Sequence, residues 1–299
     1  MEIRHLRCFL AVAEELHFTR AAERLHMEQS PMSRAIKELE EDLGAQLFDR
    51  NRRGTRLTAA GQVLLEDVRR IFAMLEQARS NVESVATGHR GTLRVAVSDG
   101  TVEPRLSAWL ARCREEEPEV EVRLVEVPLA EQLRGLREGR FDAGFACTDD
   151  VGADFATQAI WHDPLMLAVP TRHPLLVHRQ VPWDELARYP LVACHPEACE
   201  GCWRQLARML RVLDDEPVLV EQATSLDMML ALVAAGYGLG FVTAEQIARC
   251  RHPDVVVRSI MDSATPVLTT YILRLEGNES ELLDRFLARL GDKESDSSA

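Results

Sequence analysis

Residues 18–61 read FTRAAERLHMEQSPMSRAIKELEEDLGAQLFDRNRRGTRLTAAG, and this stretch decides the fold of the front of the chain. Thr19 has the chemistry of an N-cap for a short helix over 20–25. His26, Met27 and Glu28 make a turn. Ser30-Pro31 is then a start signal, with serine as N-cap and proline at the first helical position. Met32, Ile36, Leu39 and Leu43 recur at three- and four-residue spacing and form the buried stripe of that helix, while Ser33, Arg34, Lys37 and Glu41 point elsewhere. Gly44 stops it. Leu47-Phe48 leads into a basic tip from Arg50 to Arg56 that turns at Gly54, which reads as a small β-wing.

Outward from this stretch, Ile3, Leu6, Leu10 and Ala13 place a further helix in front of it. Behind it, Thr58 caps the strongest periodic signal in the chain. Leu64, Val68, Ile71, Leu75, Ala78, Val82 and Val85 are spaced alternately by four and three, a heptad seam. A single helix over 58–87 extends roughly 45 Å at about 1.5 Å per residue. Such a seam is too long for a small head to cover and implies a partner helix, most simply from a second copy of the chain. Packing within one chain is the alternative.

After the break at 88–91, strands and helices alternate. Strands are expected at 92–97, 120–127, 141–147, 165–169, 191–194, 218–221, 240–243 and 267–275. Helices are expected at 102–115, 130–138, 183–187, 203–213, 225–235 and 282–290. Alternation of this kind gives doubly wound α/β sheets, which bind ligands beyond the carboxyl ends of their strands. The fold class is therefore α+β multidomain: a helical winged head, a long linker helix and an α/β body. The head spans 1–58 and the linker 59–90. The body spans 91–292. A polar tail, 293–299, is expected to be disordered.

Composition fits a foldable protein, with 46% hydrophobic and 28% charged residues. The first residues alternate apolar and charged side chains and lack a cleavage site, so they do not read as a signal peptide. The longest apolar run, 228–242, is too short to span a bilayer and is broken by Gly236, Gly238 and Gly240. No membrane partner is implied, and the cytoplasm is the default location. Seven cysteines in 299 residues are not a disulfide scaffold. Net charge is −13, yet residues 1–58 hold ten Lys/Arg and ten Asp/Glu, so the other 241 residues carry the whole excess. A neutral, locally basic head on an acidic body is compatible with a head that meets phosphates.

Residues 18–61 closely resemble the winged helix-turn-helix of the LysR-type transcriptional regulators. That family's F-T-x-A-A-x-x-L helix matches 18–25, and its S-x-x-I-x-x-L-E-x-x-L-G recognition helix matches 33–44. Its L-F-x-R and L-T-x-x-G segments match 47–50 and 57–61. The plan of linker helix and two α/β subdomains, crossed twice by the chain, is also similar, strongly to about residue 90 and more loosely beyond, and 232–243 resembles the family's late helix-turn-strand. The resemblance implies that the body divides into one subdomain of 91–163 plus 265–292 and a second of 164–264. The resemblance implies a regulator that binds double-stranded DNA and is switched by a small-molecule effector, with no cofactor, commonly assembled as a dimer of dimers. It places Gln29, Ser30, Pro31, Ser33 and Arg34 at the leading end of the recognition helix. There Arg34 suits guanine and Gln29 adenine, while Thr19 and Lys37 would touch phosphates. Arg50 and Arg53 on the wing would enter a minor groove or grip the backbone. Leu64, Val68, Ile71, Leu75 and Val82 would form the dimer seam. The effector would sit between the subdomains, at loops holding Ser98, Asp99, Gly100, Thr101, Pro128, Cys147, His195, Pro196 and Thr224, where free N–H groups at helix starts suit a carboxylate. One departure stands out. If Asp99 and Glu103 face the pocket, they disfavour the dicarboxylates that relatives in aromatic-degradation pathways often sense, and the effector is neutral, cationic or metal-bound; if they face solvent, nothing follows.

Cys194, His195, Cys199 and Cys202 pack four soft ligands into nine residues. The spacing allows a metal site or a redox pair, and a thiol at a helix start is expected to have a lowered pKa. The alternative is a buried strand end, two loop thiols and an ordinary pocket histidine. An enzyme is the rival from another class, but the chain has no G-x-S-x-G, no P-loop and no G-x-G-x-x-G after a strand. A stand-alone periplasmic binding protein fails on the helical head and the absent signal peptide.

Overall fold

Helix α1 (Ile3–Glu15) ends where Leu16 turns left-handed at φ 49°, and α2 (Phe18–Arg24) starts two residues later. The computed structural model describes residues 1–51, 54–86, 90–99, 104–211, 217–261, 266–277 and 280–290. They divide into two compact units, Met1–Ser80 and Asn81–Ala299.

In the first unit, α1, α2 and α3 (Gln29–Leu43) close around Phe9, Val12, Met32, Ile36 and Leu39, all fully buried. Each such side chain contributes about 1.5–3 kcal/mol of burial. Two helix starts lie earlier than the sequence suggests. The N-cap of α2 is His17, whose Nδ1 accepts from the Arg20 N–H at 3.4 Å, so Thr19 lies inside the helix. The N-cap of α3 is Glu28, which places Ser30 and Pro31 in the first turn. Proline is tolerated there because no intrahelical carbonyl awaits its missing N–H. Leu43, expected in the buried stripe, is exposed in the last turn before Gly44, whose φ of 65° ends the helix.

Strands β1 (Phe48–Asn51) and β2 (Gly54–Leu57) form the expected antiparallel wing, pairing Phe48 with Leu57 and Asn51 with Gly54. Two devices anchor it. The Glu40 carboxylate accepts from the N–H groups of Leu47 and Phe48 at 2.8 and 3.2 Å. Gly61 lies so close to the Leu47 carbonyl that a Cβ there would fall 2.2 Å from the oxygen. Thr58 caps helix α4 (Ala59–Ala86) as expected, its Oγ1 accepting from the Gly61 N–H at 3.0 Å.

The α4 seam is not one surface. Val68 is fully buried in the core of its own head, and Leu64 and Ile71 pack on the same core. Three short helices leave an apolar face open, and the first half of α4 closes it. Further along, Leu75 is 40% and Val82 70% exposed, with Met74 and Val85 exposed beside them.

The second unit runs β3 (Gly91–Val97), α5 (Pro104–Glu116), β4 (Val120–Glu126), α6 (Leu129–Arg137), β5 (Ala143–Ala146) and β6 (Phe155–Pro170). It continues β7 (Gln180–Pro182), β8 (Leu191–Cys194), α7 (Glu200–Leu210), β9 (Leu219–Ala223), α8 (Leu226–Ala234), β10 (Leu239–Thr243), α9 (Ala244–Arg249), β11 (Val255–Met261), β12 (Val267–Leu275) and α10 (Glu281–Ala288). The strand order is β4-β3-β5-β12-β6-β10-β8-β9, with β11 on β6 and β7 on β11. Parallel pairs β3–β4, β3–β5, β8–β9 and β8–β10 carry the crossover helices of two lobes. The lobes share β6, whose first half pairs with β12 and whose second half pairs with β10 and β11. Their apolar cores are separate, one around Trp109, Phe145 and Phe286 and another around Leu167, Trp183 and Leu191.

Only the end of β6 is legible as a strand in the sequence. Its first half, ATQAIWHDP, has no clean alternation because one part is exposed and Pro164 interrupts it. Strands β7 and β11 and the six-residue α9 are likewise additions to the elements expected from sequence.

Candidate functional site

On the head, the packing of Met32, Ile36 and Leu39 into the core fixes which side of α3 faces outward. Gln29, Ser30, Pro31, Arg34 and Lys37 are exposed and Ser33 is half-buried. The Thr19 hydroxyl donates to Gln29 Oε1 at 3.4 Å, joining α2 and α3 at this surface. Lys37 pairs with Glu41 at 3.4 Å, an exposed i,i+4 pair of small energetic weight. Arg34 has no hydrogen bond or ion pair among the described residues. By contrast, Arg20 and Arg24 are engaged by Glu15 and Glu14. Arg50 lies in β1 opposite Thr55, and Arg53 lies outside the described residues. The arrangement is a polar helix face with a guanidinium that has no partner among the described residues, backed by the packing of Met32, Ile36 and Leu39 and followed by a β-wing.

In the second unit, the ends of β3, β5 and β8 and the start of α7 converge. A cavity of about 300 Å³ opens there, lined by Asp99, Glu126, Cys194, Cys199, Cys202, Thr224 and Ser225 and walled by Leu165, Met229 and Phe241. No Lys, Arg or His lines it among the described residues. Asp99 follows β3 with φ 60° and is 8% exposed. Its Oδ1 accepts from the Gly201 N–H at 2.9 Å, and its Oδ2 accepts from the Cys147 N–H at 3.2 Å and the Ser98 hydroxyl at 3.1 Å. Burial pushes the Asp99 carboxyl above the ordinary aspartate range, and Glu200 adds to this, against those three hydrogen bonds.

Helix α7 also ties the lobes together. The Gln205 amide, nearly buried, donates to the carbonyls of Cys147 and Thr269 at 2.5 and 2.6 Å and accepts from the Thr269 N–H at 3.0 Å. Arg204 donates to the Asp150 carbonyl at 2.8 Å, and Arg208 reaches the Asp150 carboxylate at 3.2 Å.

Of the loop residues expected at this site, Asp99 and Thr224 line the cavity. Ser98 and Cys147 lie behind it as buried partners of Asp99. Pro128 is exposed ahead of α6 and is not among the lining residues. His195 and Pro196 are not among them either: the His195 Nδ1 accepts from the Glu197 N–H at 3.2 Å and holds its own loop. Gly100, Thr101 and Glu103 lie outside the described residues. Sequence reasoning missed Glu126, Met229, Phe241 and Gln246, since nothing in the sequence marks two polar and two apolar residues on four separate elements as one lining.

The cysteine cluster divides. Cys194, Cys199 and Cys202 share the cavity, but among the described residues no group of three or more His, Cys, Asp or Glu is arranged to hold a metal ion. Cys194 and Cys199 do not have the lowered thiol pKa expected at a helix start. Burial first, then Cys202 and Cys199, raises the Cys194 thiol far above its usual value, and burial, Cys202 and Asp99 raise Cys199 to about 12. Desolvation beside acidic groups outweighs the favourable helix end. The Cys202 Sγ donates to the Asp99 carbonyl at 3.7 Å.

Comparison with known proteins covers both units. Residues 3–62 match the model of the bacterial regulatory helix-turn-helix protein, lysR family, and 86–294 match the LysR substrate binding domain. YnfL of Escherichia coli K12, an uncharacterized HTH-type transcriptional regulator, is 35% identical over 245 residues, 82% of each chain. The transcriptional regulator AlsR of Bacillus subtilis is 30% identical, covering 96% of this chain and 94% of its own. Among solved structures, full-length CbnR complexed with its target DNA aligns with a TM-score of 0.73 at 27% identity, over 97% of this chain and 99% of that one.

Proposed function

The chain belongs to the LysR family of bacterial transcriptional regulators, and from this we propose that it binds a specific duplex DNA through α3 and is switched by a small molecule in the inter-lobe cavity. The observation that carries the DNA half is the bare Arg34 on the outward face of a helix whose other face is locked in the core. Arg34, with Gln29, Ser30, Pro31 and Ser33, enters the major groove. Thr19 and Lys37 set register on phosphates, and Arg50 and Arg53 on the wing grip the neighbouring backbone. CbnR, which has the same chain plan, is seen bound to its target DNA. The head therefore comprises 1–58, the linker 59–90 and the effector body 91–292.

The effector half rests on the convergence of strand ends and the α7 start around an apolar cavity, the usual place for a ligand in open α/β sheets. Helix α7 bridges the lobes through Gln205 and Arg204, so a ligand beside it shifts the population of lobe arrangements. The exposed second half of α4 pairs with a second copy of the chain, giving a homo-oligomer suited to two half-sites. The relatives are transcriptional regulators, and we read no catalytic step into the cavity.

The test begins with selection of a duplex from a random pool by the full chain. Arg34→Ala then weakens binding to that duplex by about 1–3 kcal/mol and relaxes preference at one base pair. Unchanged affinity and an unchanged base preference would remove Arg34 from base reading.

A further inference from the structure

The first turn of a helix offers N–H groups without intrahelical acceptors and a partial positive charge, which together attract anions. In α7 that place is already filled from within the chain. The Asp99 carboxylate, from the opposite lobe, takes the Gly201 N–H on one oxygen and the Cys147 N–H and Ser98 hydroxyl on the other. The fit is mutual. A Cβ on Gly201 would fall 2.4 Å from Asp99 Oδ2 and 3.0 Å from the Cys147 carbonyl carbon, so a glycine is needed to leave room for the carboxylate. Asp99 itself holds a left-handed backbone, φ 60°, that a non-glycine residue rarely adopts.

The space beside it has the complementary character. Among the described residues it presents a second carboxylate, Glu126, and apolar walls from Leu165, Met229 and Phe241, with no cationic side chain. A ligand carboxylate entering there would lose its water, find the helix start occupied and face like charge. Its volume, about 300 Å³, is at the small end of ligand sites.

We propose that the Asp99 carboxyl group is built in at the carboxylate position at the start of α7, and that the cavity takes a small uncharged or cationic molecule in place of an anionic one. This rests on the reading of the cavity as the effector site. It narrows the class of effector from any small molecule to those without a free carboxylate.

The experiment is calorimetric titration of the full chain with benzoate, a small flat anion, in wild type, Asp99→Ser and Asp99→Asn. The account expects no benzoate binding by wild type. It expects binding by Asp99→Ser tighter by about tenfold or more, because the Gly201 and Cys147 N–H groups are released and space opens. Asp99→Asn, which still fills the place, gains none. Should the serine variant fail to fold, Asp99→Gly carries the same expectation, since glycine suits the left-handed backbone. Benzoate bound equally by wild type and the serine or glycine variant, or by none of them, overturns the assignment. Duplex affinity of the same wild-type sample tests the regulator reading separately. Loss of that reading leaves the benzoate result standing as a statement about Asp99.

Discussion

Single residues carry the chemistry of the cavity. Asp99 is held in the fold with its carboxyl raised by burial, so its neutral form is favoured relative to the unfolded chain. That contribution is complete below the unfolded value of 3.8 and is lost as pH rises through the raised folded value. The stability of Asp99→Asn relative to wild type is therefore expected to increase with pH across that window and then level off. Thermal unfolding from acid to neutral pH checks this, and a difference that shrinks with pH contradicts it. The cysteines make a second prediction. With the Cys199 thiol raised to about 12, alkylation of Cys199 by iodoacetamide at pH 7 is slow and still accelerating at pH 10. A rate that plateaus near neutrality would reveal a thiolate and return the cluster to redox sensing. At this scale the sequence was half legible. Asp99 stood out as an acid in a ligand loop, but its partner Gly201 is 102 positions away, and only the fold shows that its missing Cβ makes room for the carboxylate.

Among the elements, α4 is the clearest case of pattern without address. Heptad spacing shows that one stripe is buried but not by what, and the stripe changes covering along its length. Val68 faces the head core, whereas Leu75 and Val82 face outward. The double variant Leu75→Asp, Val82→Asp is expected to leave the head folded and lower the mass in solution, read by light scattering. An unchanged mass would take the outer half of α4 out of the assembly. Val68→Asp does something else, destabilising the head by several kcal/mol through a buried unpaired charge. A protein that stays folded but becomes monomeric on Val68→Asp would contradict this division. Helices with one buried stripe and clear stops, such as α3, were legible to within a residue or two. Strand β6 was not, because it changes partners midway and its two halves obey different burial patterns.

At the scale of the whole molecule, the charge distribution and the fold agree. The acidic residues that give the chain its net charge of −13 lie outside a head that is neutral in sum, and this head carries the outward α3 face. The α/β character of the body was legible as alternating strands and helices, and its two lobes and double crossing were implied by the family resemblance. The cavity was not legible, since its lining is assembled from both lobes by contacts far apart in sequence. The central claim is that the head reads duplex DNA. Its most direct test is the affinity of the full chain for its selected duplex and for a scrambled one between 50 and 200 mM salt. The account predicts that log affinity falls linearly with log salt, by about 10³ or more over that range for six or more phosphate contacts. It also predicts that the selected duplex is bound about 10³-fold or more tightly than the scrambled one at physiological salt. Affinity that is insensitive to salt, or equal for the two duplexes, would contradict it.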